Sequence, residues 1–169
     1  TADAKTKTYG DTDPALTYTS TGLVGSDTLT GALVRTTGEN VGSYSINQGS
    51  VTAGSNYSIT YVQDTLTITP KAISVKAAAK TKVYGESDPA LTYTITSGAL
   101  VGSDDFSGAL ARTSGENVGS YAINQGTLAL SANYSLTYTR DSLTITPKAI
   151  TVTADAKTKT YGDTDPALT

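Results

Sequence analysis

The chain has 169 residues and a formal net charge of −3, and charged residues make up only 16% of it. That balance gives no electrostatic support for binding the phosphates of DNA or RNA, and no apolar run is long enough for membrane insertion. Cys, Met, Trp and His are absent, which removes the commonest general base near neutral pH, the best thiolate nucleophile and the ligands of most zinc, copper and iron sites.

Only scattered carboxylates, hydroxyls and amines remain for chemistry, so we expect no enzyme, no catalytic residues and no cofactor. A hydrolase with paired carboxylates is the disfavoured reading. The chain is rich in Thr, Ser and Gly and holds 11 Tyr but one Phe, Phe106. Such residues suit pleated, half-buried strands, and the expectation is an all-β or mostly β protein.

In chain order, the first landmark is Tyr9-Gly10-Asp11-Thr12-Asp13-Pro14-Ala15-Leu16-Thr17. It returns as Tyr84-Gly85-Glu86-Ser87-Asp88-Pro89-Ala90-Leu91-Thr92, and again, unchanged, at Tyr161 to Thr169. Gly38 to Tyr44 matches Gly115 to Tyr121, Asn47-Gln48-Gly49 matches Asn124-Gln125-Gly126, and Leu66 to Ile73 matches Leu143 to Ile150. The Tyr-Gly landmarks lie 75 and then 77 residues apart. The two additional residues fall between Tyr93 and Asp104, where a surface loop is expected to absorb them.

Periods this long exceed those of solenoids and propeller blades, so each copy reads as a small domain. Residues 1–70 form a repeat domain lacking its first strand, 71–146 a complete repeat domain, and 147–169 the opening strands of a third repeat. Residues 153–169 reproduce 1–17 without change, which implies a two-domain unit of 152 residues. The chain opens inside a repeat, so we expect targeting signals to lie outside it.

Within the complete repeat, Ala72 to Ala77 alternates apolar and polar residues as a half-buried strand does. Lys80 to Tyr84 continues or pairs with it. Gly85 and Pro89 enclose a turn, with Asp88 placed to cap the backbone. Leu91 to Ile95 predicts another strand, and Ser103 or Asp104 one short helical turn. Gly119 to Ile123 predicts a strand ending at Asn124-Gln125-Gly126. Tyr134 to Tyr138 and Ser142 to Thr146 predict a hairpin around Arg140-Asp141, and Pro147 ends the ladder. The predicted core is Ile73, Val75, Tyr84, Leu91, Tyr93, Leu100, Leu110, Val118, Tyr121, Ile123, Tyr134, Leu136, Leu143 and Ile145.

The pattern Ala79-Lys80-Thr81-Lys82-Val83-Tyr84-Gly85, then Asp88-Pro89-Ala90-Leu91, Val118-Gly119-Ser120-Tyr121, Asn133-Tyr134 and Leu143-Thr144-Ile145-Thr146-Pro147 resembles the MBG repeat domain of the YGX type. The resemblance spans essentially the whole chain. It implies tandem small β-grasp-like domains in a semi-rigid beads-on-a-string rod, found in large bacterial surface proteins and adhesins, and it brings no catalytic residues with it.

Several sharper sites are weighed against plainer readings. Asp11 with Asp13, Glu86 with Asp88, or Asp104 with Asp105 offer hard oxygen ligands for calcium, but Asp before Pro is more simply a turn cap. Lys71 or Lys148 beside Asn40 or Asn117 brings an isopeptide crosslink to mind. Solvated lysines and turn asparagines are the simpler expectation. Asn56-Tyr57-Ser58 and Asn133-Tyr134-Ser135 match the glycosylation sequon. Lys80-Thr81-Lys82 reads as a solvated edge, and the tyrosines as core rather than sugar platforms.

The leading functional expectation is a structural tandem-repeat module, a stalk or spacer of a bacterial extracellular adhesin or surface fibre. The alternative is a direct ligand-binding module for a glycan or host protein, acting through multivalent repeats. The expected partners are neighbouring repeats of the same chain. The first repeat lacks a counterpart of Ala72 to Val75, while Ala149-Ile150-Thr151-Val152 offers that strand at the other end. Two readings therefore stay open: a piece of a longer rod, or strand addition to another copy through residues 149–169.

Overall fold

β-branched and aromatic residues at alternating positions put eleven strands, and no helix, into the computed structural model, which describes residues 1–168. The first four are β1 (Lys5–Thr8), β2 (Val34–Arg35), β3 (Gly42–Asn47) and β4 (Asp64–Thr69). They form one sheet in the order β1-β4-β3-β2, with β1 parallel to β4 and the other pairs antiparallel. Seven more follow: β5 (Lys71–Ala77), β6 (Lys80–Val83), β7 (Tyr93–Ser97), β8 (Ala111–Arg112), β9 (Gly119–Asn124), β10 (Tyr134–Thr139) and β11 (Asp141–Thr146). They make a three-stranded sheet, β10-β5-β7, and a four-stranded sheet, β6-β11-β9-β8, that repeats the sheet of the first module. The chain is all-β with tandem repeats, as its sequence leads one to expect.

β5 is the central strand of its sheet. Its alternation places Ile73 and Val75 at 0% exposure. On one side it runs parallel to β10, with Ile73 opposite Leu136 and Val75 opposite Tyr138. On the other it runs antiparallel to β7, with Val75 opposite Ile95 and Ala77 opposite Tyr93. Leu128 and Tyr134 close this cluster, and Ile123 and Leu143 anchor the other sheet beside Ala77.

The expected hairpin of Tyr134–Tyr138 with Ser142–Thr146 does not form. Only Arg140 separates β10 from β11, too little chain to reverse direction, so the strand crosses into the other sheet. There β11 pairs antiparallel with β9 and parallel with β6. β5 does the same over Ala78 and Ala79, continuing into β6. Two parallel ribbons, β5–β6 and β10–β11, thus lie side by side through both sheets.

Three further expectations change. No helical turn forms at Ser103 or Asp104; the backbone makes a tight turn in which the Asp104 N–H donates to Val101. The strand expected at Leu91 to Ile95 runs instead over Tyr93–Ser97 as the edge strand β7, reaching into the longer stretch before Asp104. Tyr84 and Val118 are not core: they are 47% and 54% exposed on one outer face.

Because β5 is buried from both sides, Ile73→Ala should lower stability by about 2–5 kcal/mol, read from chemical denaturation. Ile95→Ala on the edge strand, where the side chain is 43% exposed, should cost less than about 1 kcal/mol. Equal losses would show that β5 anchors the sheet no more than the edge strand β7 does.

Candidate functional site at the module junction

Each module holds one charged side chain that its sequence does not advertise. In Lys5-Thr6-Lys7 and Lys80-Thr81-Lys82 both lysines lie on one face of the strand and the threonine on the other; the threonine faces solvent, so the lysines face inward, the second of each pair buried. The Lys7 and Lys82 side chains are only 4% and 3% exposed. Lys82 Nζ sits 2.7 Å from Asp88 Oδ1 and 2.5 Å from Glu116 Oε2. Arg112 grips the same two carboxylates from the other side, donates to the Thr113 and Gly115 carbonyls, and lies 5.5 Å from the centre of the Tyr121 ring. Lys7, Asp13, Arg35, Glu39 and Tyr44 repeat this arrangement.

Two cations alternating with two carboxylates satisfy each other in a half-buried setting. Arg35 and Lys7 hold the Asp13 carboxyl down to about 2, and Arg112 and Lys82 do the same for Asp88. Glu39 and Glu116 shift downward for the same reason, and both lysines shift upward. The cluster ties the Tyr-Gly turn to the strand before it and to the distant loop that carries the glutamate.

The Tyr-Gly landmark itself lies where the modules meet. Tyr9 Oη donates to Asp104 at 2.9 Å, and Tyr134 Oη donates to the same carboxylate oxygen at 2.6 Å. The two rings meet edge to face with centroids 5.4 Å apart. Asn133 accepts from the Val41 N–H and donates to Asn40 Oδ1, both at 2.9 Å. Gly10 adopts φ +85°, and a Cβ there would stand 2.4 Å from a Val101 methyl. Both the turn and the neighbouring module thus demand glycine. A single residue, Pro70, joins β4 to β5 across this contact.

The candidates read from sequence fall out as follows. Asp13 and Asp88 are held by a lysine and an arginine, charges that repel calcium. Among the described residues no cluster of acidic side chains is arranged to hold a metal. Glu86 accepts from the Val83 N–H, Asp105 from the Phe106 N–H, and Asp104 belongs to the junction. Asn40 and Asn133 bind each other, so neither is a free partner for Lys71 or a glycan acceptor. Lys148 and Asn117 share a shallow groove with Tyr84, Val118, Pro147 and Ile150. The lysines placed beside acids are instead Lys7 and Lys82. Amide formation there needs a neutral amine and a neutral carboxyl, and the cluster holds both charged. Lys82 is a correction to the solvated-edge reading of Lys80-Thr81-Lys82; Lys80 is half-buried on the same face, and of the three Thr81 alone faces solvent.

The lowered carboxyl pKa values set an acid limit. An unfolded Asp binds its proton near 3.8, whereas Asp13 and Asp88 in the fold resist protonation to about 2. Stability from the clusters is therefore complete above pH ~4 and lost as pH falls from there toward 2. Thermal melting between pH 2 and 7 checks this, and Lys7→Met with Lys82→Met should lower the neutral-pH Tm by about 5 °C or more.

The junction has an alkaline limit. Tyr9 is raised above its ordinary 10.0 by its bond to Asp104 and by burial. Tyr134 is raised by burial and by the same carboxylate. Neutral phenols favour the docked state, so coupling between modules is complete below pH ~10 and lost as pH climbs through the raised values. Tyrosine ultraviolet titration should show late-ionising groups that Tyr9→Phe reduces by one.

No curated protein and no solved structure matches the chain. The MBG domain of the YGX type matches twice, at residues 1–67 and 73–144. Those spans cover most of the sequence and divide between the two sheet systems that meet at Pro70. The chain belongs to the MBG domain (YGX type) family, as a tandem repeat of that domain.

Proposed function

We propose that the chain is a non-catalytic structural spacer: tandem modules docked end to end as part of an extracellular surface fibre or adhesin stalk. The observation that carries this reading is the junction. It is built from side-chain bonds, an aromatic contact and a one-residue linker, features that hold one module against the next. Membership of a family whose modules occur in surface proteins supports the extracellular setting.

The tyrosines favour the spacer over direct glycan binding. Tyr44 and Tyr121 lie under arginines, Tyr61 and Tyr138 donate to the Ile46 and Ile123 carbonyls, and Tyr93 packs edge-on against Phe106. Rings so engaged are poor sugar platforms.

Residual dipolar couplings measured separately for the two modules test the proposal. Docked modules share one alignment tensor, and Tyr9→Ala with Asn40→Ala should split it into two while leaving each module folded. Independent tensors in the unaltered chain, or specific retention on a glycan array by the two-module protein, would count against a spacer.

A further inference from the structure

One-electron oxidation of a protein ordinarily ends on Cys, Met, Trp, His or Tyr, the side chains that give up an electron most readily. The first four are absent here, while the chain holds 11 Tyr. The thiol and thioether steps by which most proteins absorb oxidants are therefore closed to it. An electron withdrawn from this chain comes from a phenol, and the radical passes among tyrosines until chemistry traps it.

A second tyrosyl radical within bonding reach is such a trap, and the fold supplies one pair. Tyr9 of the first module and Tyr134 of the second meet with ring centroids 5.4 Å apart and planes inclined by 78°. Among the described residues no other two tyrosine rings are in contact. Both hydroxyls donate to a single atom, Asp104 Oδ2, at 2.9 and 2.6 Å. Converging on one oxygen brings the hydroxyl ends of the rings together. The ring carbons beside the hydroxyls, where a phenoxyl radical carries unpaired spin, come together with them. A bond between two aromatic rings is twisted, so steeply inclined rings can form it without turning flat.

The carboxylate has a second use. A neutral phenol loses an electron more easily when its proton leaves at the same time to a base already hydrogen-bonded to it. Tyr44, Tyr61, Tyr121 and Tyr138 donate to backbone carbonyls, which are too weakly basic to take a proton. Among the described residues Asp104 is the one carboxylate that receives two phenols. Tyr134 also accepts from the Val101 N–H at 2.8 Å, and Asn133 beside it bonds to Asn40 and Val41. The two rings are thus held against each other and do not depend on chance encounter.

We propose that Tyr9 and Tyr134 form a crosslinking site: one-electron oxidants, such as the intermediates of a haem peroxidase, join them as dityrosine and lock the two modules together. Each phenol gives one electron to the oxidant and one proton, by way of Asp104, to water. The two phenoxyl radicals pair as a carbon–carbon bond between their Cε atoms. The hydrogen on each of those carbons then moves to the neighbouring oxygen and restores the phenol. The net loss is two electrons and two protons, and two equivalents of oxidant are reduced. The new bond bridges the contact that Pro70 spans, so the modules can no longer part. In a chain without cysteine it does for the junction what a disulfide does elsewhere. The site rests on the docked junction and not on the spacer role, because modules docked for ligand binding would crosslink equally.

The experiment oxidises the 169-residue protein at high dilution with a photoexcited ruthenium complex and persulfate, a one-electron oxidant small enough to approach a half-buried pair. Dityrosine fluorescence should appear in a single chain lighter by two hydrogen atoms. Trypsin should then release one dominant linked peptide, joining residues 8–35 to residues 113–140 through Tyr9 and Tyr134. Tyr9→Phe keeps the ring, loses the phenol and should abolish that peptide. Asp104→Asn keeps an oxygen for both hydroxyls but no base, and should slow the crosslink about tenfold or more. Residual dipolar couplings on the same sample report docking independently, so a docked protein that fails to crosslink is distinct from a failed junction. Loss of tyrosine without the 9–134 link, or links scattered over many pairs, overturns the proposal. An undiminished rate in Asp104→Asn overturns the part given to the carboxylate.

Discussion

A three-stranded sheet whose outer strands touch only the middle one exists or fails with that middle strand. β5 holds this position, paired on both edges, and its Ile73 and Val75 are themselves at zero exposure. The comparison is internal to the molecule. The same flanking sequences form β7 and β10 where β5 lies between them, and mostly irregular backbone where it does not. Strand propensity in Tyr57-Ser58-Ile59-Thr60-Tyr61 is as good as in Tyr134-Ser135-Leu136-Thr137-Tyr138. The difference is the backbone partner, because an unpaired ladder of N–H and C=O groups gains nothing from being straight.

The second sheet does not depend on β5, and it forms in both modules. It has its own centre, β4 or β11, each flanked by two strands, and each module adds a four-membered ion cluster at its rim. In modules so short of large apolar side chains, this cluster fixes what the core leaves loose. It pins the Tyr-Gly turn, and the turn presents Tyr9 to the next module. The charges thus act on the junction indirectly, by positioning the backbone that carries it.

The strands were legible because alternation is a local property: Ala72 to Ala77 and Gly119 to Ile123 declare themselves within a few residues. Pairing is not local, and two adjacent strands such as Tyr134–Thr139 and Asp141–Thr146 look like a hairpin unless the single intervening residue is weighed against the length a turn requires. Lys82 was hidden for a related reason. A lysine on an alternating strand reads as solvent-facing until Asp88, Arg112 and Glu116, six to thirty-four positions away, are known to converge on it. A signal was available: in a chain with 16% charged residues, these four recur at matched positions in both copies. Tyr84 and Val118 read as core from sequence because they are apolar and recur. Recurrence selects equally for the surface that every module shows to its neighbour.

The parallel ribbons bear on how the proposed spacer would carry load. Tension enters a module at the start of β5, through Pro70, and leaves at the end of β11, through Pro147. Those two strands belong to ribbons that run the same way side by side, joined by Tyr134–Thr139 against Lys71–Lys76 and by Leu143–Thr146 against Lys80–Val83. Pulling the first ribbon backward and the second forward slides them past each other. The hydrogen bonds of both ladders are then strained together instead of opening one at a time, as they would in a hairpin pulled apart from its open end. Parallel pairing is slightly weaker per residue than antiparallel, but here it places the terminal strands where every bond between them resists at once. A hairpin of β10 with β11 would have separated the last strand from the first and lost that geometry. The crossing at Arg140 is therefore the feature that would suit this fold to the tension the proposed spacer role entails.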